Sequence, residues 1–246
     1  MQFQDKVVLV TGGSSGLGLA IAQELVEQGA HVVITGRREA QLNDAVAILG
    51  DRATAIVADV SIAADLAMLF GKIKSRHGRI DVLVANAGMG EVEPLGSITE
   101  AYFDRVFNTN VKGVTFTVQG ALALMGKGSS IVIIGSTASI DPGPGLSVYG
   151  ATKAALRALV RSWVLDIRGS GVRINMVSPG PVDTDSLRKM LAEQADEVIK
   201  ALSEKSTIGR IGQAHEIGKA VAFLASDAAS YINGVELFAD GGASQV

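Results

Sequence analysis

Short apolar runs rich in Val and Ile alternate along the chain with longer segments whose apolar residues recur at helical spacing. Seven runs are predicted as strands, at residues 6–11, 31–35, 53–58, 80–85, 130–135, 172–177 and 235–239. Six segments are predicted as helices, at residues 17–28, 39–49, 62–77, 102–125, 149–168 and 213–225. Because strands that alternate with helices form βαβ units, the pattern predicts a parallel sheet buried on both faces. We therefore expect an α/β fold, a doubly wound (Rossmann-type) seven-stranded parallel sheet with helices on both faces.

One segment does not fit this alternation. Residues 183–206 lie between the sixth strand and the last helix, and their apolar residues recur at helical spacing. This spacing predicts an amphipathic helix pair or one long bent helix. Because the segment follows the end of a strand, we predict that residues 183–210 form a lid over a substrate, with ordinary packed helices as the alternative.

Composition and charge exclude several classes of protein. The 246 residues are 48% hydrophobic and 19% charged, which excludes disorder and predicts one domain over residues 1–246. The net charge is −3 and no block of Lys and Arg occurs, so nucleic acid is not an expected partner. No apolar run is long enough for a membrane span and no leader pattern precedes the first strand, so we expect a cytoplasmic protein without membrane contact. There is no cysteine, and His31, His77 and His215 are dispersed, so no metal site is predicted.

A glycine-rich turn follows the first predicted strand and leads into the first predicted helix. In order, its residues are Thr11, Gly12, Gly13, Ser14, Ser15, Gly16, Leu17 and Gly18. Gly12 permits the tight turn, Gly16 lets the backbone approach a phosphate, and Gly18 allows close helix packing. Because a helix start also presents free N–H groups to an anion, we predict that this turn binds the phosphates of a dinucleotide.

The spacing of this turn resembles the opening motif of the short-chain dehydrogenase/reductase family, Thr-Gly-x-x-x-Gly-x-Gly. The further motifs that carry the resemblance are Asn86-Ala87-Gly88 after the fourth strand, Asn110 in the next helix, Ser136 after the fifth strand, Tyr149-x-x-x-Lys153, and Pro179-Gly180 after the sixth strand. The family has these motifs in this order, and the resemblance extends from Lys6 to Gly242. It implies an oxidoreductase that transfers hydride to or from a nicotinamide cofactor.

The spacing between Tyr149 and Lys153 has a chemical meaning of its own. Four residues apart, the two side chains share one face of a helix. A phenol with a pKa near 10 is a poor base at neutral pH. A cation about 4 Å away, at an effective dielectric constant near 20, stabilises the phenolate by roughly 4 kcal/mol before desolvation is subtracted. We therefore predict that Lys153 lowers the pKa of Tyr149.

The resemblance assigns catalytic roles to four residues. It makes Tyr149 the general acid that protonates a carbonyl oxygen, while Ser136 hydrogen-bonds that oxygen. It makes Lys153 a ligand of the nicotinamide ribose, and Asn110 the anchor of a chain of waters that resupplies the proton. Taken alone, Ser136 is a loop or cap serine and Asn110 a turn residue, so the assignment depends on the four occurring together.

The residues at the end of the second strand favour NADP(H) as the cofactor. An NAD site has a carboxylate about twenty residues past the glycine turn. This chain has Arg37 and Arg38 there, and arginines are suited to pair with a 2′-phosphate. A solvated arginine pair at a helix start is the alternative. Ser15 departs from the pattern, because many NADP-using relatives have a basic residue at that position.

The resemblance places two further loops at the cofactor. Asp59 and Val60 follow the third strand, where the family contacts the adenine, although Asp59 is equally suited to begin the next helix. The run Pro-Gly-Pro-Val-Asp-Thr at residues 179–184 follows the sixth strand and resembles the loop beside the nicotinamide. The resemblance makes Pro179, Gly180, Val182 and Thr184 of this loop cofactor-binding residues. Met89, Gly90, residues 140–148 and the lid are expected to shape the substrate pocket.

Three functions are compatible with these motifs. The chain looks most like carbonyl reductases and secondary alcohol dehydrogenases, which act on small carbonyl or alcohol substrates. A 3-oxoacyl-[acyl-carrier-protein] reductase is the alternative, but such enzymes commonly have arginines at the positions of Ser15 and Ser170, and the mixed charge of the lid does not favour an acidic carrier protein. A non-catalytic NADP-binding sensor is the third, and it would have lost the four catalytic residues. The family usually forms tetramers, so a homotetramer is expected.

Overall fold

A seven-stranded parallel sheet forms the centre of the protein. The computed structural model describes residues 1–191 and 195–245. Its strands are β1 (Val7–Thr11), β2 (His31–Gly36), β3 (Ala53–Val57), β4 (Val82–Ala85), β5 (Ser130–Ile134), β6 (Arg173–Pro179), β7 (Val182–Asp183), β8 (Gly212–Gln213) and β9 (Glu236–Ala239). The sheet has the order β3-β2-β1-β4-β5-β6-β9, and each neighbouring pair is parallel. The predicted fold class and strand number are confirmed.

Helices cover both faces of the sheet. They are α1 (Gly16–Glu27), α2 (Glu39–Leu49), α3 (Ala63–His77), α4 (Glu100–Phe107), α5 (Val114–Leu122), α6 (Ser147–Asp166), α7 (Asp185–Leu191), α8 (Ala195–Lys205) and α9 (Ala214–Ala225). Successive strand residues face opposite sides. Val8 and Val10 pack into a core with α1, α2 and α9, while Leu9 packs into a second core with α3, α5 and α6. Within the described part of the chain, no helix is both long and apolar enough to cross a bilayer.

The prediction of one continuous α-helix at residues 102–125 is wrong. Helix α4 ends at Phe107, six residues from Asn108 to Gly113 form a π-helical turn, and α5 follows and ends at Leu122. The wider turn contains Asn110, whose buried amide bonds to the backbone of Met89. Apolar spacing does not reveal such an inserted turn, because the residues on either side of it remain helical.

The segment after β6 contains two helices, α7 and α8, in agreement with the predicted helix pair; residues 192–194 lie outside the described residues. A short parallel ladder not predicted from the sequence joins the two ends of this segment, pairing Val182 with Gly212 and Asp183 with Gln213. The ladder brings the start and the end of the segment to the same place beside β6. A lid role for residues 183–210 stays a prediction.

Candidate active site

A cavity of ≈ 530 Å³ opens where the strands of the sheet end. Every residue predicted to bind the cofactor lines it, and so do Ser136, Tyr149 and Lys153. Asn110 is not among the described residues that line it. Of the residues expected to shape the substrate pocket, Met89 and Gly90 line the cavity, together with Leu146 from residues 140–148 and Thr184 and Leu187 from the predicted lid. Sequence motifs more than 100 residues apart thus meet in one cavity.

The glycine turn is closed so tightly that side chains have no room at two of its positions. A Cβ atom on Gly18 would lie 2.1 Å from the carbonyl oxygen of Gly12, and one on Gly13 would lie 2.6 Å from Ile34. Gly12 has a φ of +65°, in the left-handed region that favours glycine. Helix α1 begins within this motif, at Gly16, and its first backbone N–H groups have no acceptor within the helix. The turn therefore suits the phosphates of a dinucleotide, which need close backbone approach and N–H donors.

Asn86 holds this turn in place from the neighbouring strand. Its Nδ2 donates to the carbonyl oxygens of Thr11 (2.9 Å) and Gly12 (3.1 Å). In return, the Thr11 hydroxyl accepts from the backbone N–H groups of Asn86 (3.1 Å) and Ala87 (3.0 Å). The side chain of Asn86 thus binds the protein's own backbone, although the residue also lines the cavity.

The end of the cavity beside β2 is rich in positive charge. Arg37 and Arg38 are exposed, line the cavity, and form no ion pair among the described residues. Asp59 is the one acidic residue among the described lining residues. Its Oδ1 accepts from the backbone N–H (2.9 Å) and the hydroxyl (2.7 Å) of Ser61, so its carboxylate serves the turn before α3 as well as facing the cavity. The arrangement suits an anionic group near the end of β2.

Three side chains meet at the opposite end of the cavity. Tyr149 and Lys153 lie one turn apart on α6, with Lys153 Nζ 5.6 Å from the centre of the Tyr149 ring. Lys153 is only 5% exposed and donates to the carbonyl oxygen of Ile134, the last residue of β5, at 2.9 Å. Ser136 follows β5 and begins a 3-10 turn, its hydroxyl accepting from the Ala138 N–H at 3.1 Å. Gly90 packs on the Tyr149 ring, since a Cβ there would lie 2.5 Å from Cδ2.

The predicted lowering of the Tyr149 pKa is not found. Burial raises the pKa of the Tyr149 phenol, and the hydrogen bond between the Ser136 and Tyr149 hydroxyls opposes this rise. Burial also lowers the pKa of Lys153 to about 8, because the ammonium form loses its water. The sequence argument did not subtract the cost of desolvation, and desolvation is the largest cause of the Tyr149 shift. The phenol is therefore held as a proton donor at neutral pH.

Asn110 sits behind the cavity, with no exposed surface. Its Oδ1 accepts from the Met89 N–H (2.8 Å), and its Nδ2 donates to the Met89 carbonyl oxygen (2.8 Å) and the Thr152 hydroxyl (3.0 Å). Both amide hydrogens are thus used by the protein. The geometry shows Asn110 joining the Met89 segment to α6; its anchoring of a water chain stays a prediction.

Some lining residues were missed by sequence reasoning. They are Thr35, Gly36, Ala58, Thr109, Ile134 and Gly135. Most of them stand at or just after the end of a strand, where ligands bind in parallel α/β sheets. The available signal was therefore their position along the chain, because their side chains carry no distinctive chemistry.

Comparisons with known proteins agree with this geometry. Residues 12–244 match the family model described as Enoyl-(Acyl carrier protein) reductase. The chain is 42% identical over 243 residues to "Oxidoreductase asL5" of Sarocladium schorii, covering 98% of this chain and 96% of that protein. It is 34% identical over 246 residues to "Dehydrogenase/reductase SDR family member 4" of Homo sapiens, covering 97% and 87% of the two chains.

Solved structures are similar over almost the whole length. A short-chain dehydrogenase/reductase from Brucella melitensis, titled glucose/ribitol dehydrogenase, superposes with a TM-score of 0.93 at 30% identity, covering 98% of both chains. A short-chain dehydrogenase/reductase from Serratia marcescens superposes with a TM-score of 0.92 at 34% identity, covering 99% of this chain and 100% of the other.

The fold and the cavity define an oxidoreductase with a nicotinamide cofactor. The chain belongs to the short-chain dehydrogenase/reductase family.

Proposed function

We propose that the protein catalyses the reversible, NADPH-dependent reduction of a ketone or aldehyde to an alcohol. One observation carries the proposal: Ser136, Tyr149 and Lys153 meet at one end of the cavity whose other end holds the glycine turn and two exposed arginines. The cavity volume lies within the usual range for small-molecule and cofactor sites. A dinucleotide along this cavity would extend from the arginines to the three catalytic candidates.

The residues at the Tyr149 end fit the proton chemistry of carbonyl reduction. The cofactor, when bound, supplies hydride to the carbonyl carbon. Tyr149 donates its phenolic proton to the carbonyl oxygen, and its raised pKa keeps that proton in place at neutral pH. The Ser136 hydroxyl donates a hydrogen bond to the same oxygen as negative charge develops on it. In the reverse direction the phenolate accepts the proton of the alcohol.

Lys153 completes this end of the cavity from behind. Its Nζ lies beside the Tyr149 ring and is fixed by Ile134, so the ammonium is oriented before a ligand arrives. A fixed cation favours the phenolate that forms when Tyr149 gives up its proton. Its three N–H donors allow Lys153 to hold a ribose hydroxyl as well.

Charge at the other end supports NADPH over NADH. Arg37 and Arg38 present guanidinium groups that suit the 2′-phosphate of NADPH. Asp59, the acidic residue among the described lining residues, already accepts two hydrogen bonds from Ser61. A carboxylate in the place that would bind the 2′-hydroxyl of NADH is not among the lining residues of the described chain.

The substrate end suits a small and largely apolar carbonyl compound. Met89, Leu146 and Leu187 provide the apolar wall. In the predicted lid, Arg188 binds Asp183 through two contacts of 2.7 Å, so this arginine is already paired within the chain. Such pairing weakens the case for an acidic carrier protein as partner, and with it the case for a 3-oxoacyl-[acyl-carrier-protein] reductase.

The proposal is tested by following the oxidation of NADPH and of NADH with a panel of aryl ketones, β-ketoesters and acyl thioesters. We expect turnover of ketones or β-ketoesters with NADPH as the better cofactor. Turnover confined to acyl thioesters would favour the carrier-protein alternative. Tight NADPH binding with no turnover across the panel would contradict the enzyme proposal and favour a sensor.

We also propose the homotetramer that the family resemblance implies. Apolar side chains stay exposed on the helices that this resemblance places between subunits: Phe103 on α4, Phe116 on α5 and Leu165 on α6. Exposed aromatic and aliphatic groups of this size are typical of interaction surfaces. Sedimentation of the purified protein distinguishes a tetramer from a monomer.

A further inference from the structure

A buried carboxylate lies behind the candidate catalytic residues, outside the cavity. Glu236 is the first residue of β9, and its side chain is 10% exposed. It does not belong to the described lining residues of the cavity. Removing a carboxylate from water is costly unless hydrogen bonds or an opposite charge compensate it. The contacts of Glu236 therefore show which groups compensate the burial of its charge.

Those contacts reach three other parts of the fold. Oε1 of Glu236 accepts hydrogen bonds from the hydroxyls of Ser178 (2.7 Å) and Ser139 (3.1 Å). Oε2 forms an ion pair with Nε of Arg157 at 2.8 Å. These partners are 58, 97 and 79 residues away along the chain, so one carboxylate joins four separate segments.

Two of the partners lead directly to Ser136. Ser139 ends the 3-10 turn that follows Ser136, and its backbone N–H donates to the Ser136 carbonyl oxygen at 3.0 Å. Ser178 packs against Gly135, the residue before Ser136, because a Cβ on Gly135 would lie 2.2 Å from the Ser178 hydroxyl. Glu236 thus braces the backbone on both sides of Ser136.

The third partner leads to the helix that carries the other two catalytic candidates. Arg157 lies on α6, four residues after Lys153 and eight after Tyr149. This spacing places the three residues on one face of the helix. The ion pair with Glu236 therefore fixes the same face of α6 against the Ser136 turn.

We propose that Glu236 is a positioning residue for the reaction, whose carboxylate holds Ser136 in register with Tyr149 and Lys153. The inference rests on the proposed function, which gives those three residues their chemistry. A misplacement of a catalytic group by about 1 Å costs up to roughly a hundredfold in rate, so a brace of this kind has a measurable effect. Glu236 does not contact the reacting atoms and acts through its partners.

Asp81 offers a matched control at the amino ends of the central strands β1 and β4, opposite to the end where the cavity opens. Its side chain is 18% exposed and makes two contacts, accepting from the Val7 N–H at 2.7 Å and from Arg79 Nε at 3.0 Å. Both contacts of Asp81 lie at the amino ends of the strands, away from the cavity. Asp81→Asn therefore removes a similar, largely buried charge without touching the Ser136 turn.

The kinetic test compares Glu236→Gln with Asp81→Asn. For Glu236→Gln we expect kcat to fall roughly tenfold to a hundredfold while the Kd for NADPH stays unchanged. We also expect the pH profile of alcohol oxidation to move to higher pH, because a displaced Ser136 no longer lowers the pKa of Tyr149. Asp81→Asn should lower stability without either kinetic change. Unchanged kcat and pH profile in a folded Glu236→Gln protein would overturn the proposal.

A second pair of variants tests the link without disturbing the ion pair. Ser139→Ala removes only the hydroxyl that binds Glu236, and Ser139→Thr restores a hydroxyl at that position. The proposal expects reduced kcat in the first variant and recovery of most of it in the second. Equal activity of the two variants would contradict it, even if Glu236→Gln failed to fold.

Hydrogen exchange separates failure of this inference from failure of the proposed function. The N–H groups of Ala138 and Ser139 are bonded within the Ser136 turn, and they should exchange faster in Glu236→Gln than in the parent protein or in Asp81→Asn. If the parent protein turned over no carbonyl compound, the proposed function would fail, and faster exchange would still support the brace. Unchanged exchange would overturn the brace, whether or not the protein is active.

Discussion

The two ends of the cavity differ in the chemical groups that form them, since one is formed mainly by backbone and the other by side chains. At the β1 and β2 end, the glycine turn and the start of α1 present backbone N–H groups, and the turn leaves no space for a Cβ on Gly13 or Gly18. At the β5 and α6 end, side chains provide the chemical groups. Ser136 follows β5, whereas Tyr149 and Lys153 lie on α6, and contacts from β9 hold these two segments together. Substitutions at the first end should therefore affect cofactor affinity, whereas substitutions at the second should affect turnover and respond to pH.

The largest expected effect on stability concerns the buried charge of Lys153. The pKa of this group is lowered by burial from 10.5 to about 8, so the unfolded chain binds the proton more tightly than the folded protein does. The contribution of Lys153 to stability therefore rises as the pH increases from about 8 to 10.5, by about 3 kcal/mol in total. Urea unfolding across this range should show the rise in the parent protein relative to Lys153→Met. If the free energy of unfolding changed with pH in the same way in both proteins, this would contradict the lowered pKa of Lys153.

A smaller effect is expected at the glycine turn. Gly18→Ala places a Cβ where the Gly12 carbonyl oxygen lies 2.1 Å away, so the turn must move. Overpacking of this kind costs about 1–3 kcal/mol, which should weaken NADPH binding roughly tenfold to a hundredfold in a titration of NADPH fluorescence. At saturating NADPH, kcat should change little. Gly71→Ala is the matched control, because nothing lies within 4 Å of its Cβ; equal effects of the two substitutions would remove the steric explanation.

An effect of similar size concerns the choice of cofactor. Arg37→Asp and Arg38→Asp each replace a cation at the end of β2 by an anion, and a hydrogen-bonded charge is worth about 1.5–3 kcal/mol. The ratio of kcat/KM for NADPH to that for NADH should therefore fall at least about tenfold in one of them. Arg168→Asp makes the same change of charge at an exposed position beyond α6 and should leave the ratio as it is. An unchanged ratio in both cavity variants would contradict the NADPH assignment.

The sequence predicts the first end of the cavity better than the second, and the reason is physical. Backbone requirements appear as glycines at fixed positions, and the alternation of apolar runs predicts the strands that position them. The ends of the strands are predicted less accurately, since β4 is predicted from residue 80 but begins at Val82. The Ile80 N–H bonds to the Leu124 carbonyl oxygen, which lies in a loop, and not to a neighbouring strand. Long-range contacts of this kind leave no periodic pattern.

The chemistry at the β5 and α6 end of the cavity depends on how deeply its side chains are buried, and a local sequence motif does not show burial. The spacing of Tyr149 and Lys153 correctly places them together, but the direction of the Tyr149 pKa shift could not be obtained without knowing that both groups lose water. Glu236 is a stronger case, because its partner Ser139 lies 97 residues away and nothing near it in the sequence indicates a function. The π-helical turn around Asn110 was likewise hidden within a segment that reads as a continuous helix.

The central claim is that the phenol of Tyr149 transfers the proton at this cavity, and Tyr149→Phe tests it most directly. The substitution keeps the ring that packs on Gly90 and removes only the hydroxyl. We expect turnover at saturating NADPH and ketone to fall roughly a hundredfold to ten-thousandfold, the range for loss of a general acid, with the Kd for NADPH unchanged. A Tyr149→Phe protein that retained most of its turnover would show that another group delivers the proton, and would contradict the account.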